Sequence, residues 1–276
     1  MTTSILESLF SLKDKVVVLT GGGGFIAGVM ARAIAQCGAK VAILDISCDA
    51  AQKVCSDIVA NGNTAIALKA DVLDKSSLQE ACGIVLAQFG RVDCLINGAG
   101  GNKKEATTSD ELSFFNIPIE ANRWVFDLNF VGTLLPCQVF GKEIAKRQTG
   151  SIVNITSISG FRPLTRAAAY AAAKAAVINF TRWLSVHLAQ NNSKDIRVNA
   201  IAPGFCATEQ NRYLLFDKDG RLTERGRTIL KSVPQNRFGE PNEIVGAAIW
   251  LLGDSASFAT GSVITIDGGF DAFSGV

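Results

Sequence analysis

The chain is 276 residues long, 48% hydrophobic and 19% charged, with a formal net charge of +2. That length can bury a sizeable core as one large α/β domain, and a near-neutral balance without a basic stripe or acidic tail argues against nucleic acid as the main partner. The apolar runs are short and the start lacks a basic head before a hydrophobic stretch, which argues against a membrane span or a secretory signal. The seven cysteines are scattered, odd in number and free of any CxxC pair, so they read as reduced thiols of a cytoplasmic protein.

VVVL at residues 16–19 reads as a short buried strand, TGGGGFIAG at 20–28 as a turn, and MARAIAQCG as a helix ending at Gly38. VAILDI (41–46) is a second strand, followed by a helical pattern over 48–61. TAIALKA (64–70) gives a third strand and 75–89 a third helix. The alternation continues with a strand around 93–98, a long helical region over 120–147, SIVNITS (151–157), a helix over about 167–190, and IRVNAIA (196–202). Strands this apolar, alternating with helices at this spacing, predict a parallel sheet covered on both faces. That is a doubly wound α/β domain spanning the whole chain, 1–276, with ligands beyond the carboxyl ends of the strands. Two polar segments interrupt the rhythm, about 101–118 and 204–237. Each follows the carboxyl end of a strand, so both are expected to form a small substrate lid; the alternative is a solvated excursion.

Strand, glycine turn and helix are the setting of a nucleotide-binding turn. Glycines let backbone N–H groups approach phosphates, and the helix N-terminus favours negative charge. Gly22, Gly24 and Ala27 fit GxGxxG/A, a weak match by itself. Asp45, about 20 residues on at the end of the second strand, can accept from adenosine ribose hydroxyls. Its carboxylate opposes a 2′-phosphate, and neither Ile46 nor Ser47 supplies an arginine to hold one, so NAD is expected over NADP. A helix cap is the other reading of Asp45. Asp71 and Val72 close the third strand in the same way, and Asp71 either approaches the adenine or caps the helix that begins near Lys75.

YAAAK places Tyr170 and Lys174 four apart on one helix face, and Ser157 ends the preceding strand. A phenol titrates near pH 10, so using it as a base near neutrality requires about 4 kcal/mol of phenolate stabilisation. A nearby ammonium and a bound nicotinamide cation can supply it. His187, the one histidine, has no partners at metal-ligand spacing and reads as structural, so no metal is expected.

With these residues in order, the sequence resembles the short-chain dehydrogenase/reductase family over almost its whole length: TGGGGFIA, Asp45, Asp71-Val72, NGAG at 97–100, Asn129 in LNFVG, Ser157 upstream of Tyr170, Lys174, and Pro203-Gly204 with Thr208 beyond. The resemblance implies a Rossmann fold with NAD bound by Gly21, Gly22, Gly24, Phe25, Ile26, Asp45, Asp71, Val72, Asn97, Gly98, Ala99, Tyr170, Lys174, Pro203, Gly204 and Thr208. It implies that Tyr170 exchanges the proton with the substrate oxygen, that Ser157 orients that oxygen, and that Lys174 binds the nicotinamide ribose and lowers the tyrosine pKa. Asn129 steadies Lys174 through a water-linked relay. It further implies a homotetramer built through the two long helices and the carboxyl-terminal strand.

Two departures stand out. NGAG replaces the family's usual NNAG and is expected, with Gly101, to soften the fourth-strand turn. The glycine turn reads TGxxGxxA, a spacing nearer to sugar-nucleotide epimerases, with Phe25 where the second glycine belongs and Gly23 left over as a permissive extra. The chain leaves no room for the larger substrate domain such epimerases carry.

Around the mouth, Asn102, Arg162, Arg166, Gln210 and Arg212 are the candidate substrate contacts, a set suited to a small polyhydroxylated anion; as single residues, several read equally as solvated surface. FRPLTR, the run from APGF to TERG, and DGGFDAFSGV look like those of sugar-acid enzymes of the D-mannonate oxidoreductase (fructuronate reductase) kind. The expected reaction is therefore the NAD-linked interconversion of a hexuronate ketone and its aldonate alcohol. A gluconate or other polyol dehydrogenase is the alternative enzyme, and a non-catalytic NAD-binding sensor or scaffold the alternative of another class.

Overall fold

The structure, a computed structural model, describes residues 5–208 and 212–275. After a short helix α1 (Ile5–Phe10), the chain runs β1 (Val16–Thr20), α2 (Phe25–Gln36), β2 (Lys40–Asp45), α3 (Cys48–Ala60), β3 (Thr64–Lys69), α4 (Lys75–Phe89), β4 (Cys94–Asn97), α5 (Ile119–Phe126), α6 (Gly132–Arg147), β5 (Gly150–Ile155) and α7 (Ala168–Asn191). It closes with β6 (Ile196–Pro203), α8 (Arg212–Leu215), α9 (Glu224–Lys231), α10 (Asn242–Leu252) and β7 (Val263–Ile266). The strands form one parallel sheet in the order β3-β2-β1-β4-β5-β6-β7. This is the doubly wound Rossmann-type fold that the alternating pattern predicts, and the strand order reverses between β1 and β4, where a crevice opens.

The pleat divides the core. Val17 and Leu19 of β1 pack with Met30, Ile34 and Leu251 on one face, while Val16 and Val18 pack with Leu95, Phe140 and Ile144 on the other. Because both faces are covered, β1 and β6 are buried along their whole length, which explains why these segments read as continuous apolar runs.

The long helix expected over 120–147 is interrupted. Residues Asp127–Val131 form a π-helical turn between α5 and α6. Asn129 causes part of this: its Nδ2 donates to Val125 O at 2.7 Å, while its own carbonyl accepts from Thr133 Oγ1 at 2.9 Å. Side chains inserted into the helical ladder re-aim it, and such turns recur at functional sites. Segment 101–118 holds two short 3₁₀ turns, Lys104–Ala106 and Phe114–Asn116, and Ala106 is buried against Ala121, Val125 and Tyr170. Segment 204–237 carries α8 and α9. The pattern reading of regular elements ends at β6, so α10 and β7 complete the fold beyond it. No helix among the described residues is long and apolar enough to cross a membrane. All seven cysteines are thiols.

Candidate active site

The carboxyl ends of β1, β2, β3 and β4 enclose a cavity of about 500 Å³. Gly21 and Gly24 form its floor at the mouth of α2. Gly21 has φ +63°, and a Cβ there would lie 2.7 Å from Ala99 Cα, so only glycine lets the turn lie against β4. Gly24 is the N-cap of α2 and provides no side-chain cap, which leaves the first N–H groups of a twelve-residue helix facing the cavity as an anion cradle. Phe25, Ile26, Asp45, Asp71, Val72, Gly98, Ala99 and Thr208 also line it.

Asp45 is placed by two backbone donors: Gly23 N–H at 3.0 Å to one oxygen and Ser47 N–H at 2.9 Å to the other. The cap of α3 is Ser47 and that of α4 is Asp74, so neither Asp45 nor Asp71 is an N-cap. Asp71 instead accepts from Leu73 N–H at 2.8 Å. No lysine or arginine is among the described residues that line this cavity. An acidic strand end, a cradle that a Cβ would fill and an uncapped helix N-terminus together fit an adenine dinucleotide.

The structure revises four expectations at this end. Gly22 faces away from the cavity: a Cβ there would meet Ile43 at 2.6 Å, and its N–H donates to Leu44 O at 3.0 Å. Gly23 lines the cavity in its place. It is not a permissive extra, since a Cβ on it would sit 2.6 Å from Ala50 Cβ. Asn97 is 1% exposed, and its Nδ2 donates to Asn154 Oδ1 at 2.8 Å and to Cys137 Sγ at 3.1 Å; it holds the ends of β4 and β5 together under the site. The NGAG turn is tight, not soft. Gly98 N–H reaches both Thr20 O and Thr20 Oγ1 at 3.2 Å, and Asn129 clasps Gly101 through its N–H (3.2 Å) and its carbonyl (2.7 Å).

A second chamber of about 300 Å³ adjoins the first, sharing Ile26, Ala27, Gly98, Gly100 and Thr208 with it. Ser157, Tyr170, Lys174, Pro203 and Gly204 stand on its wall. Ser157 follows β5 and opens a 3₁₀ turn, its Oγ accepting from Ser159 N–H at 3.2 Å. Tyr170 and Lys174 project from the first turns of α7, with the Lys174 Nζ 5.6 Å from the centre of the tyrosine ring. Thr156 Oγ1 donates to the Lys174 carbonyl at 2.8 Å, which pins α7 to the end of β5. Gly160 lets this loop approach: a Cβ there would lie 2.9 Å from Lys174 C.

Lys174 is 4% exposed, and its ammonium donates to Ile155 O at 2.9 Å; burial lowers its pKa to about 8. Burial pushes the Tyr170 phenol up, and the hydrogen bond with Ser157 opposes that rise. Gly100 closes the group, since a Cβ on it would lie 2.7 Å from Asn129 Oδ1 and 3.2 Å from Lys174 Nζ. Asn129 thus stands beside Lys174 and behind Gly101, fully buried.

Four of the five candidate substrate residues do not line the chamber. Arg162 is ion-paired with Asp271 at 3.1 Å. Arg212 stacks over Phe216 at 5.0 Å, and Asn102 donates to Thr107 Oγ1 at 3.0 Å. Arg166 is exposed and contributes its carbonyl to Thr108 N–H at 3.0 Å. Gln210 lies outside the described residues. The wall is built instead by Met30, Ile158, Leu164, Phe205 and Cys206, which sequence reasoning missed. Leu164 sits between Arg162 and Arg166, and its apolar character is the one local signal for it.

A family model described as enoyl-(acyl carrier protein) reductase matches residues 24–271. An uncharacterized oxidoreductase of Bacillus subtilis, UxuB, is 46% identical over 275 residues, covering 96% of this chain and 98% of its own. A 3-oxoacyl-[acyl-carrier-protein] reductase of Synechocystis is 34% identical over 95% of this chain and 99% of its own. Among solved structures, a Haemophilus influenzae protein provisionally assigned as a D-mannonate oxidoreductase, crystallised with NAD bound, superposes with a TM-score of 0.93 at 41% identity, covering 98% of this chain and all of its own.

Proposed function

As a member of the short-chain dehydrogenase/reductase family the chain is an oxidoreductase acting on CH–OH groups, and we propose that it interconverts D-mannonate and D-fructuronate, or a closely similar sugar acid and its ketone, with NAD. The observation that carries the chemistry is the convergence of Ser157, Tyr170 and Lys174 on one chamber that opens into the Asp45 cavity. When bound there, NAD supplies the hydride acceptor or donor. Gly21, Gly23 and Gly24 would hold its phosphates, Asp45 its adenosine ribose, and Asp71, Val72 and Ala99 its adenine side. Lys174, Pro203, Gly204 and Thr208 would meet the nicotinamide half. Asp45, with no basic residue among the described residues that line its cavity, favours NAD over NADP.

The remaining work falls to the protein's own groups. Tyr170 takes the alcohol proton in oxidation and returns it in reduction. Ser157 donates to the substrate oxygen and to the tyrosine oxygen in turn, holding both in line. The Lys174 ammonium, close to the ring, favours phenolate against the burial that opposes it. Asn129 keeps Gly100, Gly101 and Lys174 in register and is a positioning residue. The sugar-acid assignment draws on the Haemophilus relative, provisionally assigned as a D-mannonate oxidoreductase.

A second reading has its own observation. The apolar wall of Ile158, Leu164 and Phe205 suits an acyl substrate, which the Synechocystis relative is named for. A spectrophotometric screen of D-mannonate, D-gluconate, polyols and a 3-oxoacyl thioester with NAD(H) and NADP(H) decides between them. Turnover of D-mannonate with NAD at least about tenfold above the rest in kcat/KM supports the proposal; turnover of the thioester alone, or a strong NADP preference, overturns it. Tyr170→Phe should abolish turnover while NAD still binds, and an active variant would sink the mechanism. The proposed assembly is a homotetramer with no nucleic-acid or membrane partner. Its contact face would carry the ladder of Phe130, from the turn before α6, and Phe180, Trp183 and His187 of α7, with ring separations of 6.0, 6.2 and 4.8 Å. Sedimentation velocity tests it, a monomer refuting it.

A further inference from the structure

Three loops, of which those after β5 and β6 line the substrate chamber, are each tied to the chain's last described residues. After β7, Asp267 turns the backbone: its Oδ1 accepts from Gly269 N–H at 2.8 Å and its Oδ2 from Asp271 N–H at 2.7 Å. A Cβ at Gly204 would lie 2.6 Å from Asp267 Cα, so the loop after β6 meets this turn backbone to backbone. Phe270 packs edge-on against Phe205, a chamber residue, with ring centres 5.3 Å apart. Gln235 N–H donates to Gly268 O at 3.1 Å, which ties in the segment after α9. The third loop, between β5 and α7, is held by Arg162. Its Nε donates to Asp271 Oδ1 and its Nη1 to Phe273 O, both at 3.1 Å. Arg162 lies between Ser157 and Leu164, and both of those residues line the chamber.

We propose that Arg162 and Asp271 form a cross-brace through which the carboxyl-terminal segment fixes the chamber wall from Ser157 to Leu164, so that both are positioning residues that set the substrate KM without touching substrate. The guanidinium is a rigid planar fork, and two bonds to two different groups of the tail restrain its loop in orientation as well as position. The charges are half exposed, at 48% and 34% of their side chains. Loss of the pair is therefore felt in the order of the loop far more than in global stability.

Arg162→Gln, Asp271→Asn and the exchanged pair Arg162→Asp/Asp271→Arg test this against the parent protein in two ways. Hydrogen–deuterium exchange needs no substrate. Uptake over residues 158–166 should rise about threefold or more in either single variant and fall back in the exchanged pair, with the glycine turn at 20–28 unchanged. Equal uptake in parent and single variants overturns the brace. The second readout rests on the sugar-acid reading and uses D-mannonate with NAD. Both single variants should raise the D-mannonate KM about fivefold while kcat and the NAD KM stay within about twofold. A KM raised by Arg162→Gln alone, with Asp271→Asn indistinguishable from the parent, would make Arg162 a substrate ligand and overturn the proposal. A parent that leaves D-mannonate untouched refutes the sugar-acid reading, and the exchange data then decide the brace alone.

Discussion

Lys174→Met should make the cofactor-free protein more stable near neutrality and less stable in alkali. Lys174 is 4% exposed, and burial lowers its pKa from 10.5 to about 8. Between those values the unfolded chain binds more protons than the folded one, so the unfolding free energy rises with pH across the window. Below about pH 8 the folded state carries the full cost of the buried ammonium, about 3 kcal/mol. Methionine fills a similar volume without charge, but it leaves Ile155 O without its donor at 2.9 Å, a loss of about 1 kcal/mol. The variant should therefore gain about 2 kcal/mol at pH 7 and lose about 1 kcal/mol above pH 10.5, with a crossing between them. Urea unfolding followed by tryptophan fluorescence from pH 6.5 to 10.5 measures the difference, at one protein concentration because association would otherwise shift the midpoints. A difference that is flat with pH would refute the argument, as would a variant less stable than the parent at pH 7. Turnover should be lost at every pH, since the same buried charge that weakens the fold is placed for the chemistry.

Ser157→Ala removes the hydroxyl that opposes the upward push of burial on Tyr170. Oxidation requires phenolate, so the rising limb of kcat/KM against pH should move to higher pH, with about a hundredfold lower plateau; an unmoved limb would remove Ser157 from any role in tuning the tyrosine. Gly23→Ala would place a Cβ 2.6 Å from Ala50 Cβ and 2.8 Å from its carbonyl carbon. The overpacking should cost about 1–3 kcal/mol in thermal unfolding and weaken NAD about tenfold by calorimetric titration, whereas an unaffected variant would show Gly23 to be a spare residue after all.

The cofactor end was legible because each of its parts is local. A strand that reads VVVL, a glycine turn and a helix are contiguous, and Asp45 follows at the end of the next strand, so the register of a parallel sheet brings them together without further information. What the pattern could not assign was the division of labour among four successive glycines. That depends on what lies behind each one: the Ile43 side chain behind Gly22, Ala50 behind Gly23, the Ala99 backbone behind Gly21. Likewise the break at Asp127–Val131 is invisible to helical periodicity, because it goes with hydrogen bonds that the Asn129 side chain makes with its own helix and with Gly101.

The substrate end is different in kind. Arg162 lies five positions after Ser157, and proximity in sequence makes it a natural ligand for a carboxylate. Its direction is decided by Asp271, 109 residues away, whose own position depends on the turn at Asp267. A charged side chain on a loop takes the nearest opposite charge that can satisfy its geometry, and no local pattern states which one that is. The apolar residues of this loop that line the chamber, Ile158 and Leu164, were free of that ambiguity, since once a loop folds over a cavity its apolar groups turn inward and its ionic groups find partners at the rim. In a lid of mixed character, the residues that shape the chamber are therefore the inconspicuous ones, and the conspicuous charges serve to hold them there.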